Sequence, residues 1–150
     1  MSVARIHDSL WRSDDVGEVD IGQTIETLCR DLSDMAGDRR TLDVTVAADV
    51  KLPYQQALAL SLIAVELVTN ALKYAYAPEE PGAVQVEVSH RERGAVCLTV
   101  ADQGRGLPDD WSTGHRESGL GMKLIRAMLH QIGGEMQVEP GPGSRFVVCA

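Results

Sequence analysis

Positive charge is scarce in this chain: 14 Lys and Arg stand against 22 Asp and Glu, for a net charge of −8 over 150 residues. A nucleic-acid partner wants a basic face, so that class of function is excluded. Long apolar runs are also lacking. None reads as uncharged and long enough to span a bilayer, and the start has no basic stretch followed by an apolar one. Cysteine is limited to Cys29, Cys97 and Cys149, an odd number without paired spacing. That pattern predicts neither a disulfide framework nor a zinc site, but three small buried apolar groups in a reducing cytosol. Repeats and low-complexity tracts are missing. What remains is a hydrophobic content of 44%, enough for one domain that buries about two-thirds of its unfolded surface.

The apolar periodicity alternates between helical and extended. Residues 3–12 read as a helical stub, followed by a polar break over 13–18. Asp20 is placed to cap a helix through about Met35, with Ile21, Ile25, Leu28 and Leu32 as its apolar stripe and Gly37 ending it. Leu42 to Val50 alternates like a strand. Pro53 suits the first turn of a long helix to about Tyr76, and Pro78 stops its continuation. Val84–Val88 and Ala95–Val100 read as a hairpin. A helix from Gly119 to Ile132 and strands near Glu135–Val138 and Arg145–Cys149 close the chain. Helices and strands in this order predict a two-layer α/β sandwich, a mixed sheet packed against about three helices.

Three clusters carry chemistry. Within the long helix, Glu66, Asn70 and Lys73 are spaced i, i+4 and i, i+7, so a carboxylate, an amide and an ammonium share one stripe. Oxygen ligands beside a cation suit a metal and the phosphate it accompanies; a solvated amphipathic face has the same pattern. Asp102-Gln-Gly104-Arg-Gly106 follows a strand, with glycines that permit positive φ and close backbone approach; plain strand-ending turns also look like this. Ser118-Gly119-Leu120-Gly121 opens a helix, where free N–H groups and the helix dipole favour an anion.

In this order the three clusters resemble the N, G1 and G2 boxes of the GHKL ATPase superfamily, which includes sensor histidine kinases, anti-sigma-factor kinases, HSP90, type II topoisomerases and MutL. Pro142-Gly-Ser144-Arg-Phe146 is similar to its terminal Gly-Thr-x-Phe strand, with Ser144 replacing the usual Thr. The Glu66–Ala75 run, the Leu120–Gly134 helix and Arg5–Trp11 with Val19–Ile21 resemble histidine kinases related to the HWE branch. No F-box phenylalanine is visible between the G1 and G2 boxes, since the only Phe is Phe146. The resemblance implies a Bergerat-type fold, with residues 1–19 as the end of a dimerisation helix and linker and 20–150 as the ATP-binding catalytic domain.

It also implies roles. Asp102 would receive the adenine amine, directly and through a water assisted by Ser144. Asn70 would give an oxygen to Mg²⁺ on the phosphates, and Lys73 would offset phosphate charge. Gly104 and Gly106 would shape the adenine turn, and the amides near Gly119, Leu120 and Gly121 would hold phosphates. Tyr74 joins the nucleotide contacts, and the loop Leu107–Ser118 would cover ATP. Glu66 would be the catalytic base, or else orient Asn70 or a metal-bound water. His7 falls after the acceptor position, His90, His115 and His130 read as solvated or structural, and Trp11 and Trp111 as packing or lid contacts. The expected reaction is donation of the ATP γ-phosphoryl group to a histidine on dimerisation helices outside this chain, then relay to a response regulator, in a cytoplasmic protein that is a homodimer when whole. A free-standing anti-sigma-type serine kinase and a degenerate nucleotide-binding adaptor are the alternatives.

Overall fold

A computed structural model describes residues 17–106 and 120–150, without the side chains of Arg93, Leu120 and Pro140. The stub at 3–12 and the loop Leu107–Ser118 lie outside those residues. The elements run β1 (Glu18–Asp20), α1 (Ile21–Ala36), β2 (Arg40–Val46), β3 (Lys51–Pro53), α2 (Tyr54–Tyr74), β4 (Gly82–His90), β5 (Val96–Asp102), α3 (Leu120–Ile132), β6 (Glu135–Pro140) and β7 (Ser144–Cys149).

Five strands form one mixed sheet in the order β2-β4-β5-β7-β6, with β2 and β4 parallel and the other neighbours antiparallel. A parallel pair needs a long crossover, and β3 with α2 supplies it. The expected strand Leu42–Val50 is shorter and displaced: β2 ends at Val46, Asp49 turns with φ 57, and β3 pairs with β1 in a separate two-stranded ribbon.

Alternation decides which face is covered. Val84, Val86 and Val88 on β4 and Val96, Leu98 and Val100 on β5 are buried with the inner faces of the helices. Each such burial stabilises by roughly 1.5–3 kcal/mol. Asp20 caps α1 by accepting from Gln23 N at 3.0 Å, and Gly37 ends it at φ 85. Ile21, Ile25, Leu28 and Leu32 all enter the core, as their spacing predicts. With three helices over one mixed sheet, the architecture is the two-layer α/β sandwich.

α2 corrects one expectation. Over Tyr54–Tyr74 it is long and apolar enough to cross a membrane by length and composition, since it carries only Glu66 and Lys73 as charges. Its apolar face, including Ala57, Leu60, Ile63, Leu67, Val68 and Ala71, is instead spent on the core.

The cysteines correct another. Cys97 and Cys149 are joined in a disulfide, facing each other across β5 and β7 with Cα atoms 4.1 Å apart. Val96 and Ala150 exchange both backbone hydrogen bonds, at 3.1 and 2.9 Å. The adjacent pair is therefore the non-hydrogen-bonded kind, where side chains come closest. Only Cys29 stays free, and burial pushes its thiol up to about 12.

Candidate functional site

The motif clusters meet on α2. Glu66 and Asn70, one turn apart and half-buried, face the beginning of α3. A Cβ added at Gly121 would stand 2.6 Å from Glu66 Oε2 and 3.9 Å from Asn70 Nδ2, so the backbone of that first turn lies against both side chains. A carboxylate and an amide thus border a helix start, whose first N–H groups have no partner within the helix. Lys73 sits exposed in the last turn of α2, where a cation also suits the helix dipole. Tyr74 beside it is 63% exposed, an unusual setting for a large ring.

The same C-terminal end of α2, just past Tyr74, receives the glycine turn. Arg105 N donates to Ala75 O at 2.8 Å, and a Cβ on Gly104 would fall 1.9 Å from that same oxygen. The two glycines divide the work. Gly106 takes the positive φ of 74, whereas Gly104 lets the turn close on the end of the helix.

Asp102 ends β5 opposite Ser144, the first residue of β7. Its carboxylate is 5% exposed; one oxygen accepts from Gly104 N at 2.9 Å and the other from Ser144 Oγ at 2.7 Å. These bonds fix the direction of the carboxylate before any ligand arrives, which is how a buried acid keeps one orientation.

A cavity of about 380 Å³ touches Asp102 and Ser144 from behind, lined also by Gln85, Glu87, Thr99 and Arg145. Those four belong to the outward alternation of the strands, so it opens on the face away from the helices. Residues 107–119, Trp111, His115, Arg116 and Gly119 among them, lie outside the described residues, as do His7 and Trp11. His90, Lys123 and His130 are exposed. Among the described residues no three His, Cys, Asp or Glu side chains converge on a metal position. Mg²⁺ needs no such cage, because it takes few protein ligands when phosphates supply oxygens; the amide of Asn70, one turn from Glu66, fits that demand. Arg40 and Tyr76, which hold the end of α2, carry no motif signal, and only their contacts bring them forward.

Comparison with known proteins places the chain in a family. Residues 55–150 match the family described as histidine kinase-, DNA gyrase B-, and HSP90-like ATPase, and residues 1–36 match a histidine kinase family. Blue-light-activated histidine kinase 2 of Erythrobacter litoralis is 34% identical over 106 residues, covering 69% of this chain and 30% of the relative. Sensor histidine kinase PdtaS of Mycobacterium tuberculosis is 32% identical over 132 residues, covering 85% and 25%. The chain therefore spans under a third of these relatives. Among solved structures, the histidine kinase domain of the Erythrobacter litoralis blue-light-activated histidine kinase superposes with a TM-score of 0.82 at 24% identity, over 98% of this chain and 68% of that one. Full-length ShkA in complex with AMPPNP gives 0.71 at 21%, over 99% and 33%. By the residues it matches and the fold it shares, the chain belongs to the histidine kinase-, DNA gyrase B-, and HSP90-like ATPase family.

Proposed function

We propose that this chain is the catalytic, ATP-binding portion of a cytoplasmic two-component sensor histidine kinase. It donates the γ-phosphoryl group of ATP to a histidine outside this chain, and a response regulator then receives it. The observation that supports this best is the meeting of Glu66, Asn70, Gly121 and the Asp102 turn on one helix. The match of residues 1–36 to a histidine kinase family favours this reading over an anti-sigma-type serine kinase. In it, residues 1–19 finish a dimerisation helix, and the whole protein is a homodimer that presents the acceptor.

Each residue then has a task. Asp102, held by Gly104 N and Ser144, accepts a hydrogen bond from the adenine amine, with Ser144 also assisting a bridging water. Gly104 and Gly106 shape that turn. Asn70 offers its amide oxygen to Mg²⁺, Lys73 offsets phosphate charge, and Tyr74 borders the nucleotide. The amides of Gly119, Leu120 and Gly121 hold the terminal phosphates. Glu66, beside Gly121, orients the acceptor imidazole or takes its proton. Asn70 would hold Mg²⁺, which would offset the negative charge of the phosphates. Phosphoryl transfer asks for positioning and charge stabilisation more than covalent work by the protein, and this residue set provides those.

Incubation with labelled ATP, Mg²⁺ and the dimerisation helices of the whole kinase tests the reading. Acid-labile, base-stable label on the helices is expected. Label appearing only on a serine of an antagonist protein supports the anti-sigma alternative instead. In a separate titration Asp102→Ala is expected to weaken ADP at least tenfold by calorimetry, the loss of about one charge-assisted hydrogen bond; unchanged ADP affinity removes the adenine assignment.

A further inference from the structure

Arg40 opens β2, yet its side chain leaves the strand for the end of α2. Nε donates to Leu72 O at 3.0 Å, Nη2 to Ala77 O at 3.1 Å and Tyr76 O at 3.3 Å, and Nη1 to Glu80 O. The guanidinium also lies 5.4 Å from the centroid of the Tyr76 ring. The last carbonyls of a helix have no partner within it. One guanidinium with five N–H donors serves one of them, Leu72 O, together with three carbonyls of the segment that follows the helix, and its charge suits the negative end of the helix dipole.

Tyr76 carries the connection onward. Its ring is buried, and its hydroxyl donates to Ala83 O at 2.6 Å while accepting from Gln103 N at 2.9 Å. Gln103 directly follows Asp102. Two residues on, Arg105 N is held by Ala75 O. The stretch 75–76 thus holds the glycine turn at two amides, and Arg40 holds that stretch by its carbonyls.

From this chain of contacts we infer that Arg40 and Tyr76 are positioning residues for nucleotide binding. They fix the end of α2, which carries Lys73 and Tyr74, against the turn that begins at Asp102. Phosphate-side and adenine-side groups are thereby held at one spacing, although neither Arg40 nor Tyr76 belongs to the binding set. The inference rests on the nucleotide reading above.

Tyr76→Phe removes only the hydroxyl and keeps the ring under Arg40, so it isolates the link. Arg40→Met removes every donor, and Arg40→Lys restores one charge with a shorter reach. The full chain and each variant are titrated with Mg·ADP by calorimetry in the cold, where all are folded, and melted separately without ligand. Tyr76→Phe is expected to weaken ADP about fivefold to tenfold, the effect of losing, of its two hydrogen bonds, the one from Gln103 N that reaches the turn. Arg40→Met is expected to do the same or worse, with Arg40→Lys between it and the native chain. The double variant Tyr76→Phe with Arg40→Met should bind no more weakly than the worse single one, because the two act in series.

A merely structural role lowers the melting temperature and leaves affinity in the cold unchanged. That result for Tyr76→Phe overturns the inference even if Arg40→Met does not fold. If the native chain itself fails to bind Mg·ADP, the nucleotide reading falls, and this inference with it; if it binds and Tyr76→Phe binds equally, only the positioning role falls.

Discussion

Gly104 and Gly121 both lie where a Cβ has no room, but what each would strike differs. At Gly104 the obstacle is the backbone oxygen of Ala75, 1.9 Å away; at Gly121 it is the tip of the Glu66 side chain, 2.6 Å away. Backbone cannot step aside, whereas a carboxylate can rotate. Gly104→Ala is therefore expected to destabilise the fold by about 2–4 kcal/mol, as overpacking against fixed atoms does. Gly121→Ala should cost under about 1 kcal/mol while displacing Glu66 and impairing phosphoryl transfer. Denaturant melts paired with the phosphotransfer assay check both, and equal stability losses would contradict the distinction. Cys29 gives a pH dependence. Its thiol rises from 9.0 to about 12 because burial disfavours the thiolate. The folded chain thus keeps a proton that the unfolded chain releases. The associated stability is whole below about 9 and is lost as pH climbs from there through about 12. Cys29→Ala should flatten the alkaline arm of a melting-temperature profile, and an unchanged arm would refute this.

Elements differ in how much of themselves they wrote into the sequence. α1 was legible because its cap, stripe and stop are all local: Asp20 bonds Gln23 N three residues on, and Gly37 turns out at φ 85. Asp20→Ala is expected to lower stability by about 1 kcal/mol, read as a shift in the denaturant midpoint without change of slope. The β4–β5 hairpin was legible for the same reason. β1 and β3 were not: three-residue strands exist only by pairing with each other, Val19 opposite Leu52, and no periodicity survives in so short a run. β2 beside β4 in parallel was equally hidden, since the sequence between them says nothing of which edge β2 joins. Within the site, Glu66, Asn70 and Asp102 were legible through motif order. Arg40 was not, because its partners are backbone carbonyls 32 to 40 residues away, and a carbonyl has no sequence signature.

For the molecule as a whole, the nucleotide reading predicts a ligand-linked stability. Mg·ATP, binding only the folded form, should raise the melting temperature in proportion to the logarithm of its concentration; a flat response at millimolar nucleotide would count against the site. The disulfide adds a second linkage. It joins residues 52 apart, and bridges over such loops stabilise by about 2–4 kcal/mol. Treating the oxidised chain with a dithiol reductant should lower its melting temperature by several degrees, and Cys97→Ser should make the melt indifferent to reductant. In the proposed cytoplasmic setting glutathione favours the open dithiol, so freshly lysed cells and air-exposed protein should differ in melting temperature.

That bridge also closes residues 97–149 into a covalent ring. Asp102, Gly121 and Ser144 lie inside its circumference, and Glu66 and Asn70 lie outside. A protease that cuts once anywhere between Cys97 and Cys149 opens the ring without releasing a fragment. The nicked oxidised protein will keep its full mass on a non-reducing gel and separate into two bands only when the sulfur bridge is broken.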